Sequence, residues 1–228
     1  GADAIEVWNE MNIDREWPGG AISAAAYTEL LKGAYNAIKA RNPATLVISG
    51  APAPTGFFGG CSGAGCDDNF YVQGMVNAGA LSYLDCIGIH YNEGVLPPSQ
   101  TSGDPRGNPN HYTRYYQTMV DTYYNAGGGK RKLCFTELGY LSDGGYSPPL
   151  AEAAPGFAWA ADTSPDEQAQ WLAEAASLSR QSGKVRLMIV FNVDFTAWGQ
   201  DPQGGYAIIR PNGGCPACET LRGVTGGR

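Results

Sequence analysis

Ala4-Ile-Glu-Val-Trp-Asn9-Glu10 is a short apolar run that ends in an amide and a carboxyl. An apolar run of this length, closed by polar residues, predicts a buried strand. A parallel strand feeding a loop delivers its last side chains to the open, carboxyl-end face of an α/β sheet, so Asn9 and Glu10 are the positions of interest. Lys132-Leu-Cys-Phe-Thr-Glu137 has the same form and is followed by Gly139 and Tyr140. Two glutamates ending two parallel strands can face each other across a sugar-sized gap, the arrangement that glycoside hydrolysis uses.

Working outward, strands and helices alternate. Ser23 caps a helix whose Ala26, Leu30, Leu31, Ala34 and Ile38 recur at helical spacing, and Asn42-Pro43 stops it. Thr45–Ser49 is a strand, Phe70–Ala78 a short helix after Asp67 or Asp68 as cap, and Leu84–His90 the third strand. A helix over Pro109–Asn125 leads to the fourth strand, Leu133–Glu137, and the stretch Gly139–Thr163 reads as a long loop. Ser164-Pro165-Asp166-Glu167 is a strong helix start, with a cap, proline at the first position and acids in the first turn. That helix ends at Gly183, Val185–Asn192 is the fifth strand, and Pro216–Leu221 a brief final helix. Without hairpin signals, such alternation predicts a parallel sheet with crossover helices. The loops leaving the strands are long and aromatic and those entering them are short, the asymmetry of a barrel with its site on the carboxyl-end face.

Composition sets further bounds. The 228 residues suffice for one domain, at a stretch two, with a sizeable core. Gly at 32 and Pro at 15 predict long, shaped loops. A net charge of -7 with only 15 Lys and Arg argues against nucleic acid, whose footprint needs clustered basic residues. No apolar run is long enough to span a bilayer, so no membrane partner is expected. With neither a signal peptide nor an initiator Met, the expectation is a processed or excised chain. The 13 Tyr and 5 Trp, many beside Gly, Pro or Asn, suit either sugar faces or ordinary packing.

The six cysteines read as two local disulfides, Cys61–Cys66 and Cys215–Cys218, and hence as a secreted protein from an oxidising compartment. A four-cysteine zinc site competes with this reading on spacing but has no His nearby. Counting alternation back from His90 and Glu137 puts Cys86 toward the barrel axis and Cys134 toward the helices. The expectation is therefore two buried thiols that are not bonded to each other.

With Trp8-Asn9-Glu10 after one strand, Gly88-Ile-His90-Tyr91 after the second next and Phe135-Thr136-Glu137 after the one following, the chain resembles clan A retaining glycoside hydrolases. In that clan the Asn-Glu pair closes strand four and a nucleophilic Glu closes strand seven of a TIM (β/α)8 barrel. The resemblance covers nearly the whole chain. It implies an α/β partial barrel of strands four to eight, residues 1–228 forming the C-terminal part of a single catalytic domain. It also implies Glu10 as general acid and base, Glu137 as nucleophile, and Asn9 as donor to the sugar 2-hydroxyl. His90 would lie beside the nucleophile and Trp198 would floor the subsite at the cleavage point, with Tyr91 and Trp17 also against substrate. Carboxyls about 5 Å apart imply a covalent intermediate and net retention. Many members carry Tyr two positions after the strand-six His, where this chain has Asn92. Strands one to three have no counterpart, so an N-terminal segment or second chain is expected to complete the barrel and cover its edges.

Plainer roles stand beside these. Glu10 and Glu137 could be solvated strand ends, His90 a core histidine, Trp198 core and Trp17 a loop anchor. Glu6 reads as a buried structural carboxyl, His111 as surface, and Asp14, Arg15 and Glu93 as loop charges. The reading calls for a β-glycan or oligosaccharide partner and for no cofactor. A non-catalytic carbohydrate-binding fragment and a zinc-stapled interaction domain are the alternatives.

Overall fold

The computed structural model describes residues 1–226. Its elements alternate as the apolar periodicity predicts: β1 (Ala4–Val7), α1 (Ala24–Arg41), β2 (Leu46–Ser49), α2 (Asp68–Asn77), β3 (Ile87–Tyr91) and α3 (Tyr116–Ala126). They continue with β4 (Leu133–Leu138), α4 (Leu150–Ala153), α5 (Pro165–Ser182), β5 (Val185–Val190) and α6 (Pro216–Thr225). β1 and β2 are parallel, Ala4 against Leu46 through Val7 against Ser49. An isolated parallel bridge, Ile48 to Cys86, joins β2 to the start of β3. β3, β4 and β5 follow in that order. Backbone bonds from Ile87 to Lys132 and from Gly139 to Tyr91 climb both strands together, as do those from Leu133 to Lys184 and from Phe191 to Leu138. This is the register of parallel strands.

The chain divides into two compact units. The first comprises Gly1–His90, Val120–Thr136 and Gly183–Leu187. Ser23 starts α1, its Oγ accepting from Ala26 N–H at 3.2 Å, and the N–H of Asn42 closes it on Ile38 O at 2.8 Å. The helix buries Tyr27 and Leu31, and Tyr27 has a second role. Its hydroxyl donates to Val7 O at 2.8 Å and accepts from Gly50 N–H at 2.6 Å, clamping the exits of β1 and β2. Ile48, Cys86 and Cys134 form one buried cluster, with Ala4 and Leu187 packed on it. Asp68 and Tyr123 are fully buried and bonded to each other, Oη to Oδ2 at 2.5 Å.

The second unit comprises Tyr91–Met119, Glu137–Ser182 and Met188–Arg228. α5 begins with a capping box: Glu167 N–H donates to Ser164 Oγ at 3.2 Å, and Ser164 N–H donates to Glu167 Oε2 at 2.8 Å. Tyr91, Tyr116, Tyr140 and Trp171 pack edge to face at 5.2–6.0 Å. Gln168, buried in α5, donates to Tyr140 O and Gly205 O, and Arg210 donates to the carbonyls of Gly205, Ala207, Ser142 and Gly144. These two side chains satisfy loop carbonyls that have no sheet partner.

Four expectations are corrected. β1 stops at Val7 rather than running to Glu10, because Trp8 (φ 76°) and Glu10 (φ 43°) adopt left-handed backbone. α3 starts at Tyr116, since a single 3-10 turn at Tyr112–Arg114 and the extended Tyr115 interrupt the longer helix. The stretch 139–163 is not all loop: it holds α4 and a 3-10 turn at Pro155–Ala160, and Leu150, Ala154 and Ala160 join a core cluster with Leu141 and Tyr206. Finally, Cys86 and Cys134 are not separate thiols but a disulfide, Cα atoms 5.9 Å apart. The face count fails at its starting point. Alternation within β4 does set Cys134 opposite Glu137; what fails is the premise that Glu137, and not Cys134, shares the face of Cys86. Thr136, whose Oγ1 donates to Glu6 Oε1 at 2.9 Å, shares the face of Cys134. Cys61–Cys66 and Cys215–Cys218 are bonded as expected.

Candidate active site

In the first unit the sequence turns sharply after β1. Trp8, Asn9 and Glu10 form the bend, and Glu10 is fixed by its N–H donating to Ala51 O at 2.9 Å. Left-handed backbone at two non-glycine residues is uncommon and concentrates where a side chain must be aimed. The Glu10 side chain is 13% exposed, and its Oε1 lies 3.2 Å from Nδ1 of the fully buried His90. Its Oε2 is bonded by Arg15, whose side chain is 69% exposed. Burial pushes the Glu10 carboxyl up, but the hydrogen bond and charge of His90 and the Arg15 guanidinium outweigh it and hold the carboxyl below its ordinary value.

The loop after Glu10 is tied down by Asn12, which sequence reading passed over. Fully buried, it donates from Nδ2 to Ala53 O and Cys66 O at 3.0 Å and accepts from Ala53 N–H at 2.7 Å. Trp17 packs edge-on against Trp8 at 5.7 Å and Tyr27 at 6.4 Å, with its N–H on Ala21 O, the contacts of a loop anchor. Half-buried Asn9 lies between Trp8 and Glu10. Glu6 accepts from Ala51 N–H and Thr136 Oγ1, both at 2.9 Å, a structural carboxyl inside the unit.

In the second unit, half-buried Glu137 near the exit of β4 accepts from Asn92 Nδ2 at 2.8 Å. Asn92, two residues after His90, is thus a hydrogen-bond partner of Glu137. Tyr91 is 1% exposed, its hydroxyl donating to Arg114 O at 3.3 Å. It offers no face to a sugar and leaves the set of substrate-binding candidates. Trp198 is stacked on Tyr146 at 4.4 Å and donates to Pro148 O at 2.9 Å, so one of its faces is occupied by protein.

No protein-family model matches the chain, and no curated protein does. Among solved structures it is similar to a GH128 (subgroup VI) exo-β-1,3-glucanase from Aureobasidium namibiae, with a TM-score of 0.58 and 12% identity over 96% of this chain and 67% of that one. It is more distantly similar to a family 51 α-L-arabinofuranosidase from Bifidobacterium longum, with TM-score 0.47, 14% identity, and 82% and 37% of the two chains covered. An active-site mutant of Rhizomucor miehei β-1,3-glucanosyltransferase in complex with laminaritriose gives 0.46 and 10%, covering 86% and 57%. These neighbours are TIM-barrel glycoside hydrolases, and the first likeness shows a shared α/β fold.

Among the described residues no group of three or more His, Cys, Asp or Glu could hold a metal ion. No helix of the described chain is long and apolar enough to cross a membrane.

Proposed function

We propose that the chain is the C-terminal part, strands four to eight, of a (β/α)8-barrel glycoside hydrolase that cleaves β-glycosidic bonds of a poly- or oligosaccharide with retention. One observation carries the reading. In the first unit His90 bonds Glu10, and in the second Asn92 bonds Glu137, so each glutamate has a polar side-chain partner within its own unit. The fold shared with a β-1,3-glucanase agrees with it.

In the proposed reaction the Glu137 carboxylate attacks the anomeric carbon as the glycosidic C–O bond breaks, and Glu10 gives its proton to the departing oxygen. Water then attacks the same carbon, Glu10 takes up the water's proton, and the bond to Glu137 breaks. Asn9 would donate to the sugar 2-hydroxyl, a contact that strengthens in the transition state. The three disulfides fit a secreted protein. The test is Glu137→Ala on activated aryl β-glycosides. Turnover should vanish and return with azide, giving the inverted glycosyl azide. Wild-type protein that binds β-glycan without turning over any glycoside would instead mark a non-catalytic carbohydrate-binding module.

A further inference from the structure

We infer that Asn92 is the positioning residue for Glu137, with Tyr206 as the strut behind it; this rests on the nucleophile assignment above. Glu137 is a carboxylate when it attacks and so only accepts hydrogen bonds, which requires the amide nitrogen of Asn92 to face it, at 2.8 Å. Asn92 lies just past the end of β3, where an unsupported main chain would carry its side chain out of place. Two bonds prevent this. The Asn92 carbonyl accepts from the Tyr206 hydroxyl at 2.9 Å, and the preceding Tyr91 carbonyl accepts from Gly139 N–H at 3.0 Å, two residues beyond Glu137. Tyr206 is itself buried, its ring edge-on to Phe191 at 5.7 Å and its carbonyl bonded by Asn192 N–H. A carboxamide has no proton to lose in the working pH range, so this hold on the carboxylate does not switch with pH. Its action is orientation: small misplacements of a reacting group lower rates steeply.

Asn92→Ala and the isosteric Asn92→Asp, each made in the wild-type and Glu137→Ala backgrounds of the full-length protein, test this on a dinitrophenyl β-glycoside. Asn92→Ala should lower kcat/KM about 10- to 100-fold, mostly through kcat. In the azide-rescued Glu137→Ala background the same change should alter the rate less than about threefold, because the side chain it serves is gone. Asn92→Asp should lose more than the alanine variant at neutral pH, since it sets a second carboxylate against Glu137. Equal losses in both backgrounds, or a wild-type rate for Asn92→Ala, would overturn the inference and leave the hydrolase reading intact. Should Asn92→Ala fail to fold, a wild-type rate for Asn92→Asp would overturn it as surely. If azide does not rescue Glu137→Ala, the nucleophile assignment falls first and this inference with it.

Discussion

His90 Nδ1 lies 3.2 Å from Glu10 Oε1 while Arg15 bonds the other carboxylate oxygen, so the carboxyl of the proposed acid/base is drawn below its ordinary value from two sides. The two partners differ in kind. His90 is buried on β3, whereas Arg15 is exposed on a loop and its attraction is open to screening by salt. In the proposed mechanism the basic limb of kcat/KM would report loss of the Glu10 proton from the free protein. Arg15→Gln removes one of the influences that lower this carboxyl and should move that limb to higher pH, and 1 M salt should shrink the difference between the two proteins. Identical profiles would uncouple Arg15 from Glu10. For stability the sign is that of a depressed carboxyl. Its contribution is complete above the ordinary value of 4.5 and fades as pH falls through the lower folded value.

The Cys86–Cys134 bond joins two residues of the first unit that lie 48 apart in the sequence. By loop entropy such a crosslink is worth about 4 kcal/mol at 25 °C. Cys86→Ala with Cys134→Ala should lower the urea midpoint accordingly, and alkylation of the unreduced native protein should find neither cysteine free. A loss below about 1 kcal/mol, or labelled thiols, would show that the pair is reduced in solution.

Tyr123 on α3 donates to Asp68 at the start of α2, with both side chains sealed from solvent. Tyr123→Phe keeps the ring and deletes the donor, leaving a buried carboxyl oxygen short of one bond. The expected loss is about 1–3 kcal/mol, read from thermal unfolding. A neutral result would mean that the carboxyl finds another donor.

What could be read in advance follows from how local its cause is. Ser23 and the Ser164-Pro165 start act within one helical turn, and the apolar runs at β2, β3 and β4 are contiguous, so these elements were legible. The turn at Trp8–Glu10 was not, because nothing in an apolar run signals left-handed backbone at non-glycine residues. α4 was hidden by Pro148, Pro149 and Pro155, which read as breakers although Leu150 between them is core. For the candidate site, Glu10, His90 and Glu137 stand out in the sequence as chemistry at strand ends, but Asn92, which meets the Glu137 carboxyl, and Asn12, which ties down the loop after Glu10, do not. Asn12 and Asn92 are polar loop residues whose partners are set only by tertiary placement. The same holds for Tyr91, a loop aromatic in the sequence and a core residue in the fold.

Gly88 on β3 shows how tightly the strands around Glu10 are fitted. A Cβ there would come within 2.1 Å of Ser49 O and 3.0 Å of Ala51 N, both backbone atoms that cannot rotate away. Gly88→Ala must therefore part β2 from β3, breaking the bond from Gly88 N–H to Ser49 Oγ, at a cost of roughly 3 kcal/mol. The disturbance reaches the site through one residue. Ala51 supplies the carbonyl that holds Glu10 N–H at 2.9 Å, and its own N–H donates to Glu6. Gly88→Ala should thus lower kcat/KM at temperatures well below its reduced melting point, while Gly107→Ala, at an exposed loop position with open space around it, should leave kcat/KM unchanged. If Gly88→Ala is less stable but fully active, the Ala51 carbonyl is not what aims Glu10.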